Sequence, residues 1–553
     1  MIEGIGADLV LAALPKATPE DVYPTEPRTT ADQDDQDESG ERPSQSSALV
    51  AFVRDRAELF HDCNKTVYAT DRSTGETRRI DGRPFKDWLV AEFYKAESRA
   101  PRDQSVREAL VTLSGLGRFD GDEREVWVRV APHEGAYYLD LAERGRSRAV
   151  RITADGWSVV ADPPVRFIRP ESAQPLPEPE CGGDLSRLWD FANVPEDARI
   201  LVICCLAEWL RPDTPFPVLE ILGEQGSAKS TTHKILRRLI DPNACDLRGA
   251  PRSAEDVFVA AGASWLVSYE NVSHLPAPMQ DALCVLATGG GFAKRRLYSD
   301  ADESVINVKR PVVLNGISAA VTAQDLIDRT ISVETPRISR RIEVTTLWGD
   351  FEREQGRLLG ALLDAMSGAL SRLPHTALPD GEQPRLAEFA RFGAALAESL
   401  GAGAEAFHTQ FRESRVESVA RTIDASPVAS ALIDWFEARG RRDEEMSAKD
   451  LLREVETRKP QGADAWPRSA KGFADALRRA APALRTLGIE CHSLGKRGGK
   501  VLWRVADGGY LSDPRPASPD VLAHAAHRQD VRTFRTSSPE LSPADDDTIE
   551  VEV

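Results

Sequence analysis

Two kinds of hydrophobic spacing alternate along the first third of the chain. In "RPFKDWLVAEFYKAE" (83–97) and "SVREALVTLSGLGRF" (105–119) apolar residues recur at intervals of three and four, the period of an amphipathic helix. In "EVWVRVAPHEGAYYLDLAE" (125–143), "AVRITADGWSVV" (149–160) and "VRFIRP" (165–170) apolar and polar residues alternate between turns containing Gly and Asp, which predicts strands. Residues 48–169 therefore read as a small α+β domain. A Pro-rich stretch, 170–183, follows as an expected linker. From 184 to 422 helical and strand-like segments alternate, as in an α/β fold. Residues 426–506 form a last compact module. The ends, 1–47 and 507–553, are polar and acidic, cannot bury enough surface to offset their ordering entropy, and are expected to be disordered.

Composition narrows the class. A chain of 553 residues is too long for one core and calls for about three domains. Hydrophobic residues make up 41%, with no run long enough for a transmembrane span, so no membrane partner is expected. The seven cysteines form no Cys-x-x-Cys pair or Cys/His ligand cluster, and the adjacent Cys204 and Cys205 lie in an apolar run, which suits a reducing cytoplasm. The net charge of −18 argues against an all-over nucleic-acid surface but leaves room for local basic patches, because acidic tails dominate the total. The strand-borne acids Asp140 and Glu143 read as structural.

The sharpest local signal is "GEQGSAKSTT" (223–232). It follows an apolar run, 218–222, and precedes "KSTTHKILRRLI", whose apolar residues have helical spacing. Strand, Gly-containing loop and helix is the setting of a phosphate-binding loop. Backbone N–H groups of Gly223, Glu224, Gln225, Gly226, Ser227, Ala228, Lys229, Ser230 and Thr231 would cradle ATP, Lys229 would reach the β- and γ-phosphates, and the Ser230 hydroxyl would ligate Mg²⁺. Ala228 stands where the usual pattern has a second glycine; a Gly/Ser turn opening an ordinary helix is the plain alternative.

Three downstream stretches supply companions. "ASWLVSYENVSHLP" offers a strand at 265–269 that delivers Glu270, a second group for Mg²⁺, followed by Asn271 where a water-orienting acid often stands. Asn can position a water but cannot take its proton. "VKRPVVLNGIS" gives a strand ending in Asn315, expected between the other two strands as a phosphate sensor. In "AQDLIDRTISVETP", Arg329 precedes a strand as an arginine finger does. Between them, "LATGGGFAKRRLYSDADESVINVKRP" reads as a Gly-led hairpin or loop in which Lys294, Arg295, Arg296 and Tyr298 could meet DNA phosphates and bases.

The C-terminal module, 426–506, reads as three helices and a two-stranded hairpin, "IECHSL" and "KVLWRV", joined by "GKRGG": a winged-helix pattern. Arg478, Arg479 and Arg485 lie on or after the third helix, and Lys496, Arg497 and Lys500 at the wing, as candidate DNA contacts.

Taken in order, the 223–230 loop, Glu270-Asn271, "LATGGGFAKRRLY", "VVLNG" and "DLIDRTISVE" resemble superfamily-III helicases, and most of all the helicase half of phage, plasmid and poxvirus-type primase-helicases and the ATP-binding proteins of prophages and integrative elements. The resemblance covers roughly 184–353. It implies an AAA+-type ATPase that forms a ring, usually hexameric, and translocates on single-stranded or forked DNA in mobile-element replication, with a separate primase. It also implies that Arg329 acts in trans. Ala228, Asn271 and Gly291 depart from the family pattern. They keep a second function open: a nucleotide-switched DNA-binding or scaffold ATPase, a loader or defence component, with little turnover.

Overall fold

The computed structural model describes residues 44–295, 303–338, 341–379, 384–460, 466–498 and 500–508. The first helix, Gln45–Arg56, begins inside the segment expected to be disordered. Ser44 explains it: its hydroxyl accepts from Ser47 N at 3.1 Å, and Leu49, Phe52 and Val53 are buried behind that cap. Helices Arg83–Glu97 and Asp103–Phe119 pack with it over a four-stranded sheet, and a second antiparallel sheet runs from Val130–His133 to Gly156–Ala161. Asp140, at the end of its strand, takes a bidentate pair from Arg169 at 2.7 and 2.9 Å, and Glu143 pairs with Arg148, a structural use of both acids.

The Pro-rich stretch is not a free spacer. Leu176 is buried and its N–H reaches Leu141 O at 2.9 Å; Gln174 N reaches Pro242 O, and Glu180 N reaches Gly356 O. Prolines fix an extended path, and the apolar Leu176 gives that path a place to dock. Beside it, the buried Arg129 donates through Nε to Asp241 Oδ1 at 3.0 Å and through Nη2 to Gln174 O at 2.8 Å, joining the N-terminal domain to the α/β block.

That block is built on five parallel strands, β1 Val218–Leu222, β2 Arg248–Gly249, β3 Val267–Glu270, β4 Val312–Gly316 and β5 Thr330–Glu334, in the order β2-β3-β4-β1-β5. β1 and β4 are buried at every position, as central strands covered on both faces must be. β3 starts two residues later than its apolar run because the N–H groups of Trp265 and Leu266 are spent on Asp241 Oδ2, at 3.1 and 3.0 Å, instead of on a ladder. Helix α1, Lys229–Ile240, follows β1. Behind the sheet the buried helix Arg199–Glu208 packs against the long helix Val344–Arg372 and against Ala387–Ser399. Cys204 and Cys205 sit fully buried on it, where burial pushes their thiols up.

The hairpin Gly290–Arg295 and Glu303–Val308 leads into β4. The C-terminal module holds helices Pro427–Ala438, Ala448–Glu456 and Ala470–Thr486 and three strands, not two. The extra strand, Glu444–Ser447, pairs with Lys500–Asp507; its "EEMS" has one apolar residue and no alternation to betray it. The wing strands are longer than expected, Ile489–Arg497 and Lys500–Asp507. Among the described residues no helix is long and apolar enough to cross a membrane.

Candidate functional site

All five strands are parallel, so their C-terminal ends open on one edge of the sheet, where ligands of such sheets bind. Register places Leu222 beside both Gly316 and Glu334, which brings the 223–228 loop, Asn315 and the exit of β5 together. The loop turns sharply. Gly223 has φ +151°, and a side chain there would lie 2.7 Å from Ser227 Oγ and 2.9 Å from Thr335 O, so only glycine fits. Gly226 has φ +86° and Ala228 φ +58°. Ala228 thus holds the left-handed conformation that a glycine takes freely and that costs other residues roughly 1–2 kcal/mol.

Two side chains clamp the loop from outside it. Ser227 is fully buried and shares a 2.8 Å hydroxyl hydrogen bond with Thr335, whose Oγ1 also lies 2.8 Å from Leu222 O. Asn193 donates from Nδ2 to Ser227 O at 2.9 Å and to Pro336 O at 2.7 Å, and its backbone N–H reaches Thr232 Oγ1 at 2.9 Å. Helix α1 then starts at Lys229 with no side-chain cap, since Ala228 has nothing to offer. The first-turn N–H groups of a helix have no intrahelical partner, and among the described residues no side chain caps them, which leaves a cradle for an anion.

Lys229 is 9% exposed and its Nζ donates to Glu224 O at 2.8 Å. Burial lowers its affinity for the proton, a cost that an adjacent phosphate would reverse. Ser230 is half-buried in the first turn. Glu270 ends β3, half-buried, with β4 between its strand and β1. The geometry and the donor set fit a nucleotide phosphate with Mg²⁺: a lysine, open helix N–H groups, a hydroxyl and a carboxylate on one sheet edge.

The strand that ends in Asn315 lies between those of Glu270 and of the loop, as expected, and Asn271 and Asn315 are tied to each other. Asn271 is exposed with φ +54°, a conformation that Asn tolerates better than an acid of greater length, so its identity has a backbone reason. Asn315 is 1% exposed, and its Oδ1 accepts from Asn271 N at 3.1 Å. Its Nδ2 therefore faces His233 Nδ1, 2.9 Å away on α1, and that nitrogen must be the acceptor. His233 is fully buried and neutral, because burial, followed by Arg237 and Lys234, holds its proton affinity well below the usual histidine range. In this state Asn315 ties the β3 exit to α1.

Arg329 lies at the other edge of the sheet. It precedes β5, and its carbonyl accepts from Val218 N, at the start of β1, at 2.9 Å. Its Nη1 donates to Asp325 O at 2.6 Å, and Asp325 also pairs with Arg385. The strands that separate Arg329 from the loop of its own chain are five residues long, about 16 Å. On the hairpin, Lys294 pairs in register with Ser304 and Arg295 with Glu303. Arg296 and Tyr298 lie outside the described residues. In the C-terminal module Arg478, Arg479, Arg485, Lys496, Arg497 and Lys500 are all exposed.

The composition of the loop did not reveal Asn193, Arg337 or Arg341. Arg337 Nε pairs with Glu224 Oε2 at 3.1 Å, and Arg341 Nη2 lies 3.9 Å from where a Gly226 side chain would point. A signal existed for the arginines: "TPRISRR" leaves β5 at the same sheet edge as the loop.

Residues 183–414 match the family model described as actinomycete integrative conjugative element replication protein, and residues 428–517 match the AICE RepA C-terminal domain; together the two span more than half of the chain. The chain belongs to this family of replication proteins. No curated protein sequence matches it. Among solved structures it is similar to the "SCCmec type IV Cch - active helicase", at 11% identity and a TM-score of 0.45 over 82% of this chain and 94% of that one. It is also similar to the apo C-terminal region of NrS-1, at 9% identity and a TM-score of 0.37 over 84% and 99%.

Two features of this replication protein give stability predictions. Replacing Ala228 with Gly should relieve the left-handed strain, partly offset by the unfolded-state entropy of glycine, for a net gain of about 1 kcal/mol. Denaturant midpoints measure it, and a loss of stability would contradict the strained loop. His233 makes the second. Its folded-state proton affinity is depressed, so the unfolded chain takes up a proton below about pH 6.5 while the folded chain does not. Stability from this residue is present above that pH and falls by about 1.4 kcal/mol per unit below it. His233→Gln, which can still accept from Asn315, should lose that slope. Equal acid sensitivity in the two proteins would remove the neutral-histidine assignment.

Proposed function

We propose that this replication protein is an ATP-hydrolysing motor of AAA+ type, acting on DNA in replication of its element, with a winged helix at its C-terminal end. The observation that carries the reading is the uncapped start of α1 with Lys229 folded over a loop of three left-handed residues, Glu270 sharing the same sheet edge. ATP phosphates would lie on the loop N–H groups from Gly223 to Thr231, with Lys229 drawn off Glu224 O onto the β- and γ-oxygens. Ser230 and Glu270 would hold Mg²⁺, whose charge would neutralise those oxygens. Ser227, Thr335 and Asn193 position the loop. Arg329 would complete the site of a neighbouring subunit in a ring, hexameric in the resembling helicases, and Lys294 to Arg296 with Tyr298 would meet DNA in its channel. A separate primase would supply primers.

A second reading is favoured by one observation. Asn315 is committed to Asn271 and His233, and no acid follows Glu270 to take a proton from water. A nucleotide-switched loader or scaffold with little turnover would need neither. Phosphate release measured with and without single-stranded DNA, alongside particle imaging, separates the two. Stimulation by DNA in ring particles supports the motor. ATP binding without stimulated release supports the switch. Failure to bind ATP removes both.

A further inference from the structure

The third helix of the C-terminal module, Ala470–Thr486, does not stand free. Its Cα atoms approach within 8 Å of those of the short Gln324–Ile327 helix of the α/β block, and it also packs on helix Ala404–Ala425. A recognition helix needs its exposed face clear, because the major groove it enters is about 12 Å wide and walled by two backbones. Here the C-terminal half of that face is roofed by the core. What remains is a cleft of about 810 Å³ with Arg478, Arg479 and Arg485 on one wall and Asp325, Asp328 and Arg385 on the other.

The charges in the cleft do not cancel. Arg385 reaches Asp325 and Asp328 at 3.5 and 3.8 Å, and Arg329 shares Asp325, so the acids are already matched. Among the described residues Arg479 and Arg485 have no carboxylate within ion-pair distance. Arg478 also borders a second recess, of about 460 Å³, lined by Lys449, Arg453, Lys471 and Lys500 with one acid, Asp450. Lys471, Arg478 and Arg485 are seven residues apart, on one stripe of the helix, and the stripe spans about 21 Å. On a chain of net charge −18, seven cations therefore border the two adjoining recesses; Arg453 pairs with Asp450 and Arg478 with Asp475 on their own helices, while among the described residues Lys449, Lys471, Arg479, Arg485 and Lys500 have no carboxylate within ion-pair distance.

We propose that these cations bind the backbone of single-stranded DNA, led across the third helix into the cleft, and that Lys449, Arg453 and Lys471 belong to the binding surface. Successive phosphates fit a linear row of cations, and a single strand enters a gap that a duplex cannot. Among the described residues no Phe, Tyr or Trp lines either recess and His274 is the one ring at the cleft, so the contact is chiefly with phosphates and largely indifferent to sequence. The inference rests on the reading of the protein as one that acts on DNA.

The test is fluorescence anisotropy of the full chain, without nucleotide, against a labelled oligodeoxythymidine and against a duplex of the same length. Wild type should prefer the single strand. Arg479→Gln/Arg485→Gln in the cleft and Lys449→Gln/Lys471→Gln in the recess should each weaken that binding. Each lost contact should lower the salt dependence by roughly 0.7 in log–log slope. All four residues are exposed, so the variants should fold, and far-ultraviolet circular dichroism checks it. Wild-type affinity in both variants, or tighter binding of wild type to duplex with dependence on Lys496 and Arg497 alone, overturns the proposal. Because nucleotide is absent, failure here is distinct from failure of the ATP site, which shows as wild-type ATP affinity in Lys229→Ala.

Discussion

Lys229→Ala should abolish measurable ATP binding while leaving the protein folded. The ammonium is the only full positive charge inside the loop, and removing one partner of a desolvated, charge-assisted contact costs about 2–5 kcal/mol, a loss of roughly 30-fold to several thousandfold in affinity. Folding has little to lose. In the free protein Lys229 makes one side-chain hydrogen bond, to Glu224 O, and burial already disfavours its charge. Loop geometry is held elsewhere, by the Ser227–Thr335 contact and by Asn193. Isothermal titration with ATP, beside thermal unfolding of the same preparation, reads both halves. Wild-type affinity would remove the phosphate from this loop; unfolding would show that Lys229 has a structural duty the geometry does not reveal.

Much of the core was legible because its chemistry is local. A parallel strand buried on both faces reads as a mostly apolar run, which is why 218–222 and the run before Asn315 stood out; Glu220 interrupts the first, its buried carboxylate accepting from Ala320 N, Val321 N and Ser332 Oγ. Lys229 and Ser230 follow at fixed spacing from such a run, and Glu270 ends another. What was not legible depends on contacts between distant residues. Asn193 lies 34 positions before the Ser227 carbonyl it holds, and nothing in "DFANVPE" marks it. The amide of Asn315 is oriented by a histidine 82 residues away on α1, so a residue read as a phosphate sensor is also a tie between β3 and α1. The Pro-rich stretch looked like a spacer because composition reports stiffness, not docking, and the docking rests on the buried Leu176 together with backbone hydrogen bonds of Gln174, Leu176 and Glu180. The third helix carried its arginines in plain view, yet the core that faces all three across a cleft could be seen only in the fold.

Mixing Arg329→Ala subunits with Lys229→Ala subunits should restore ATPase activity that neither has alone. The phosphate loop and Glu270 sit at the C-terminal edge of the sheet, whereas Arg329 precedes β5 at the N-terminal edge. Strands of five residues put about 16 Å between the edges, farther than an arginine side chain extends, so Arg329 cannot reach phosphates bound to its own chain. If it serves a phosphate at all, the phosphate belongs to a neighbour. In the single chain it is parked, donating to Asp325 O at 2.6 Å with its side chain 16% exposed, so assembly has to draw it away from Asp325. An arginine finger contributes about 10³–10⁵ in turnover, so Arg329→Ala assemblies should be nearly inactive despite an intact loop. In mixed assemblies some boundaries join a sound loop to a sound arginine, and activity should rise to a maximum at intermediate mixing ratios. Mass photometry establishes that the subunits have mixed. A flat, inactive profile in demonstrably mixed assemblies would mean that Arg329 only braces the Asp325–Arg385 cluster, and Arg385→Ala should then reproduce the defect of Arg329→Ala.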